Sequence, residues 1–197
     1  INRFKKLLEV KKVSKSLFMM HWYAKFFIHN APHALLAYLG WMKKYKFIHE
    51  AMGDKKISRV VKNSMKEITD ALIVSKLLEK KFAISYMKKE INRFSNKLLF
   101  DPISRVAREP IRKLSPNNRI ILSLRLGLFN SKLPKYTAMG VKAALQYYDK
   151  NDSQSKYIRS LKSSMNENEI LNKISGIQLD DPLNSFCINQ NLKSIIK

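Results

Sequence analysis

"KISRVVKNSMKEITDALIVSKLLE", residues 56–79, decides the fold. Ile57, Val60, Val61, Met65, Ile68 and Leu72 recur at spacings of three and four, which places them on one face of an α-helix. A half-buried strand would alternate with period two, and this stretch does not. The next one reads the same way: Phe82, Tyr86, Met87, Ile91 and Phe94 mark a second helical face. With 5 glycines and 6 prolines in 197 residues, few breakers interrupt such patterns, and the chain is expected to be all-α and multi-helical.

Helices are expected at 16–29, 31–51, 56–79, 82–94, 101–107, 117–129, 135–149, 155–163, 167–174 and 181–195. Gly53 can end the second by taking the left-handed conformation after its last turn. Pro134 and the polar stretch 151–155 punctuate the later part, and Asp181 followed by Pro182 is a cap-then-first-turn start. No internal repeat is visible. The last ~45 residues, with "NDSQSK" and "SSMNENE", have solvated-loop compositions and are expected to pack loosely.

A chain of 197 residues is long enough for one domain with a real core, and 45% apolar and 10% aromatic residues set it apart from disordered sequences. Its 38 Lys+Arg against 15 Asp+Glu give a formal charge of +23, a field that attracts nucleic acid, anionic lipid, acidic protein or phosphorylated small molecules. The basic residues are spread along the chain, so a lysine-rich solvated surface accounts for part of the excess equally well. Cys187 is the single cysteine, which excludes an intrachain disulfide or a multi-cysteine metal site and fits a reducing compartment, the cytoplasm being expected. No run reaches the ~18 apolar residues of a membrane span. The chain opens at Ile1 in a basic stretch, so a preceding segment is expected, with 1–19 a remnant of an inter-domain connection.

No glycine-rich phosphate loop follows a strand, so neither a dinucleotide fingerprint nor a P-loop is present. His21, His29, His33 and His49 fall in the first quarter, but without a carboxylate motif such as H-E-x-x-H a zinc site is not expected. Lys25, Asn30 and His33 raise a sharper question. On one continuous α-helix, at 100° per residue, Asn30 stands about 140° and His33 about 80° from Lys25, too wide for a narrow stripe. Pro32 would clash with the Ile28 carbonyl, so a kink is expected near Asn30, with Asn30 capping a restarted helix. The three polar groups then either share one small volume or are a snorkelling lysine, a cap and a core histidine. A second cluster lies in "RFSNKLLFDPISRVAREPIRKLSPNNRI", residues 93–120. Arg105, Arg108 and Arg112 fall at i, i+3 and i+7, with Lys113 and Arg119 nearby, and guanidinium forks match phosphate or carboxylate oxygens. Pro110 implies a bend, and Asp101 and Glu109 can neutralise part of the cluster in a purely structural network.

"KFFIHNAPHALLAYLGWMKKYKFIHEAM", residues 25–52, resembles the start of the C-terminal domain of the polyol-specific long-chain dehydrogenases, whose signature K-x4-N-x2-H falls on Lys25, Asn30 and His33. Residues 93–120 resemble the segment that marks the mannitol-1-phosphate 5-dehydrogenase branch of that family. "LPKYTAMGVKAALQYYDKNDSQSK" (133–156) and "ISGIQLDDPL" (174–183) fit as well. The resemblance implies the helical substrate domain of a two-domain NAD enzyme, with the N-terminal Rossmann domain absent from this chain and the isolated domain inactive. It implies Lys25 as general acid/base, Asn30 and His33 as holders of the reacting oxygen without a metal, and Arg108 and Arg112, with Arg105, Lys113 and Arg119 behind them, as anchors for a substrate phosphate. Pro32 departs from the glycine usual there. A lysine can serve as base near neutral pH once desolvation and neighbouring cations lower its pKa from ~10.4 toward 7–8. The implied reaction interconverts mannitol 1-phosphate and fructose 6-phosphate. The alternatives are a sibling polyol or hexuronate dehydrogenase domain and a basic helical nucleic-acid-binding module.

Overall fold

The helix that opens the sequence argument runs from Lys55 to Val74 (α4) in this computed structural model, which describes residues 13–130 and 133–196. The Asp54 carboxylate starts it by accepting from the main-chain N–H of Lys56 (2.8 Å) and Ile57 (3.1 Å). All six residues of the expected apolar face are buried. α4 stops short of 79 because Lys76 turns left-handed (φ 57°), returning the N–H of Lys76 to the Ile73 carbonyl (3.0 Å) and that of Leu77 to Leu72 (3.0 Å).

The N-terminal region departs further from expectation. α1 (Lys15–Tyr23) passes without interruption into a π-helix (Ala24–Asn30) and then α2 (Ala31–Met42). A π segment relieves the Pro32 clash without a break. Asn30 is therefore helical (φ −67°, ψ −38°) and caps nothing, contrary to the expected restart. The expected helix 31–51 is two: α2 ends at Met42 and α3 spans Ile48–Gly53. The left-handed residue that closes α2 is Lys44 (φ 60°); α3 does end at Gly53, but Gly53 is not left-handed, so the expected stop is in place and its expected conformation is not. In both helix ends a lysine occupies the position for which glycine is the usual signal.

α2 is apolar on all sides, with Ala31, Pro32, Ala34–Gly40 buried, and it forms the axis of the domain. α4, α9 (Lys135–Gln146), α6 (Ile103–Ala107) and α3 pack around it. Gly40 permits the closest approach: a Cβ there would stand 2.6 Å from Ile103 Cδ1 and 2.8 Å from Ala51 Cβ. Glu67 of α4 holds the start of α9 by accepting from the N–H groups of Tyr136 (3.0 Å) and Thr137 (2.9 Å).

The remaining helices are α5 (Lys80–Phe94), α7 (Pro110–Leu114), α8 (Arg119–Gly127), α10 (Ser153–Leu161), α11 (Glu167–Ser175), α12 (Pro182–Ile188) and α13 (Lys193–Ile196). α7 falls outside every expected helix, and the expected helix 181–195 divides into α12 and α13. Asp181 caps α12 through the Leu183 N–H (2.8 Å), as read from the sequence. The C-terminal part is not loosely packed: Ile158, Ile170, Leu171, Leu183 and Cys187 are buried, and α12 lies against α9 and α11. Among the described residues there is no strand, only an isolated bridge between Phe47 and Pro102, and no helix is long and apolar enough to cross a membrane. α1 buries none of its residues and leaves Leu17, Phe18 and Trp22 exposed. Residues 1–12 of the expected inter-domain connection lie outside the described residues.

Candidate active site

The π-helix resolves the spacing of Lys25, Asn30 and His33. Bonding from i to i+5 aligns Lys25 with Asn30 on one face, and the ordinary α-helical spacing of three then places His33 beside Asn30. Asn30 and His33 form part of the wall of a cavity of about 610 Å³. Lys25 lies one turn further toward the N-terminus, exposed and outside that wall.

The opposite wall is set by the segment between α5 and α8. Main-chain bonds from Ile48 N to Asp101 O (3.0 Å) and from Ile103 N to Lys46 O (2.9 Å) pin Asp101 against α2. His33 Nε2 lies 3.2 Å from Asp101 Oδ2, and Arg105 Nε donates to Asp101 Oδ1 (3.0 Å). Burial pushes the Asp101 carboxyl up, but the bonds from His33 and Arg105 outweigh it and hold the group below the usual range. Burial lowers the His33 pKa against the opposing bond to Asp101, so the neutral ring prevails at neutral pH. With Nε2–H directed at the carboxylate, the neutral ring carries its lone pair on Nδ1, which has no partner among the described residues.

α6 ends at Ala107, and Glu109 is left-handed (φ 58°) before Pro110 begins α7. Asp152 and Gln154 of the α10 start fix this corner, accepting from Glu109 N (2.6 Å) and Arg112 N (2.9 Å). Arg105, Arg108 and Arg112 consequently do not share one helix face, yet all three line the cavity with Lys113 and Arg119. The neutralisation expected from the carboxylates holds for two of them: Asp101 pairs with Arg105, and Glu109 with Arg112 (2.7 Å). Arg108, Lys113 and Arg119 have no ion-pair partner among the described residues. Lys113 is buried, its Nζ donating to the Arg108 carbonyl. Among the described residues no group of three or more His, Cys, Asp or Glu is placed to hold a metal ion.

Residues that sequence reasoning left without a place in the site also line the cavity. His29 donates from Nδ1 to the buried Glu90 (2.6 Å), and its ring centroid lies 4.9 Å from that of His33. Phe94 stacks on His33 at an interplanar angle of 12°. The available signal was Glu90 itself, a carboxylate at i+3 from Met87 and i−4 from Phe94 inside an apolar stripe.

Fold and site together define an all-helical domain whose cavity joins an asparagine and a carboxylate-bound histidine to a cluster of unpaired cations. The family model described as the mannitol dehydrogenase C-terminal domain matches residues 19–182, and the chain belongs to that family. It is 35% identical over 159 residues to a mannitol-1-phosphate 5-dehydrogenase of Caldanaerobacter subterraneus subsp. tengcongensis, covering 81% of this chain and 41% of the relative. It is 38% identical over 162 residues to the protein of that name from Buchnera aphidicola subsp. Acyrthosiphon pisum, covering 82% and 41%. The chain thus spans about two fifths of the length of these relatives. Its fold matches that of Pseudomonas fluorescens mannitol 2-dehydrogenase, solved as a ternary complex with NAD and D-mannitol, with a TM-score of 0.67 at 18% identity over 89% of this chain and 40% of that one.

Proposed function

We propose that this chain is the substrate domain of an NAD-dependent mannitol-1-phosphate 5-dehydrogenase, interconverting mannitol 1-phosphate and fructose 6-phosphate. The observation that carries the reading is the group of cations without carboxylate partners, Arg108, Lys113 and Arg119, in the same cavity as Asn30 and His33. A neutral polyol gives such charges nothing to neutralise, whereas a phosphate accepts paired hydrogen bonds from guanidinium forks. This favours a phosphorylated substrate over the sibling polyol reading. Arg112 and Arg105, already held by Glu109 and Asp101, shape the cluster and rank behind the unpaired three.

In the oxidation direction the substrate hydroxyl loses its proton to Lys25 Nζ while hydride leaves the same carbon. NAD, when bound, accepts that hydride. The all-helical residues described offer no glycine turn to cradle its phosphates, so the cofactor is assigned to an N-terminal partner domain. The exposed Leu17, Phe18 and Trp22 on α1, adjoining Lys25 in sequence, form the face such a domain would cover. Coverage would also exclude water from Lys25. The Asn30 amide donates to the reacting oxygen. Neutral His33 accepts a hydrogen bond at Nδ1 from a substrate hydroxyl and, on protonation, donates there instead.

Calorimetric titration of this chain with mannitol 1-phosphate and with mannitol tests the reading. Selective binding of the phosphorylated polyol, weakened at least tenfold by Arg108→Ala, is expected. Equal binding of both ligands would overturn the phosphate assignment.

A further inference from the structure

Lys113 differs from the arginines around it because it alone in the cluster can exchange a proton. It is 3% exposed, its Nζ donates to the Arg108 carbonyl, and the same nitrogen lies 5.9 Å from the centroid of the Tyr38 ring. Arg112 on its own helix and Arg119 on α8 repel its charge. The carboxylates on its side, Glu109 and Asp152, are committed elsewhere. Glu109 pairs with Arg112 (2.7 Å), and Asp152 accepts from the N–H groups of Glu109 (2.6 Å) and Ser155 (2.8 Å). Burial, and after it the two guanidiniums, pull the Lys113 pKa down to about 7, with Glu109 and Asp152 opposing only in part. Shedding the proton relieves a repulsion that the arginines cannot relieve themselves.

We propose that Lys113 is a proton-linked anchor: a doubly charged anion entering this cluster binds together with one proton, taken from solvent onto Lys113 Nζ, so that the cavity selects dianions over singly charged or neutral ligands. The inference rests on the reading of the cavity as a phosphorylated-substrate site and adds how that site recognises charge. A dianion restores the electrostatic balance that makes the ammonium form favourable, and a neutral polyol does not.

The test is calorimetric titration of this chain with sodium sulfate at constant ionic strength, in buffers of differing ionisation enthalpy. Sulfate remains a dianion throughout, so any proton taken up belongs to the protein. Uptake is expected to be a fraction of a proton at pH 7 and to rise toward one at pH 8. Uptake that fails to rise between pH 7 and pH 8 would overturn the proposal. Lys113→Arg keeps the charge but not the exchangeable proton: sulfate binding within about tenfold of the parent, with uptake abolished, is expected. Lys113→Met is expected to lose at least tenfold in affinity together with the uptake. Should either variant fail to fold by circular dichroism, the pH trend of the parent chain decides. Sulfate binding without uptake at pH 8, or uptake persisting in Lys113→Arg, would overturn the proton link and leave the anion site standing. Absence of sulfate binding to the parent chain, with mannitol 1-phosphate also failing to bind, would overturn the site reading and this inference with it.

Discussion

Asp54→Asn tests the account of the fold at the helix from which it starts. Asp54 accepts four hydrogen bonds: two from Lys56 N and Ile57 N that cap α4, one from Lys43 Nζ at 2.6 Å and one from Tyr45 Oη at 3.1 Å. It thereby ties the turn after α2 to the start of α4. Burial alone would raise its pKa, but these bonds, led by Lys43, bring it from the ordinary 3.8 down to about 2. The difference corresponds to about 2 kcal/mol of folding stability at neutral pH. Asparagine caps a helix as well as aspartate does, so the substitution removes the charge and spares the cap. Because the folded-state pKa is depressed, the contribution is fully present above 3.8 and is lost as pH falls through 2. Urea unfolding followed by circular dichroism should therefore show a deficit of about 2 kcal/mol at pH 7 and pH 5, shrinking below pH 4 and nearly absent at pH 2. A deficit below about 0.5 kcal/mol at pH 7, or one independent of pH, would refute the reasoning.

Gly40→Ala should cost about 1–3 kcal/mol, because the new Cβ meets Ile103 Cδ1 and Ala51 Cβ at sub-contact distances; unchanged thermal unfolding would show that α6 and α3 can yield. Asp101→Asn removes the carboxylate that His33 and Arg105 share, and about 1–3 kcal/mol of stability should go with it. The His33 ring resonances, followed by NMR against pH, should titrate below the ordinary 6.5 in the parent chain; stability linked to this group then rises as pH climbs to 6.5 and falls away on acidification. In a full-length enzyme carrying a nucleotide-binding domain, Lys25→Ala should lower kcat by about 10²–10⁴ with little change in substrate affinity, as steady-state kinetics would show. Full activity would dismiss Lys25 as the base.

How far the sequence could be read depended on the range of the interactions involved. Amphipathic periodicity is local, and it found α4 with its buried face and α5 with a face that is buried at Phe94 and half-buried at Phe82, Tyr86, Met87 and Ile91. Side-chain caps are local too, which is why Asp181–Pro182 was legible. Helix stops were misread where lysine took the left-handed position: Lys44 and Lys76 rely on bonds back to the preceding turn, and nothing in their identity announces them. The C-terminal polar composition misled because enough of its apolar residues, Ile158, Ile170, Leu171, Leu183 and Cys187 among them, are buried to hold its helices in place.

For the site, the residue types and their spacing were visible from the start, as was the resemblance that assigned them roles. The amino-acid sequence by itself determined an all-helical chain, the polar signature ahead of an apolar helix and a concentration of arginines near Pro110. Only the tertiary structure decided that a π-helix aligns Lys25 with Asn30. It likewise decided that Asp101, 68 positions beyond His33, meets that ring, and that Glu109 and Asp101 occupy two arginines and leave Arg108, Lys113 and Arg119 open. The reason is physical: a charge is free or neutralised according to what stands within a few ångströms of it in space, and helix packing, rather than sequence separation, sets those distances.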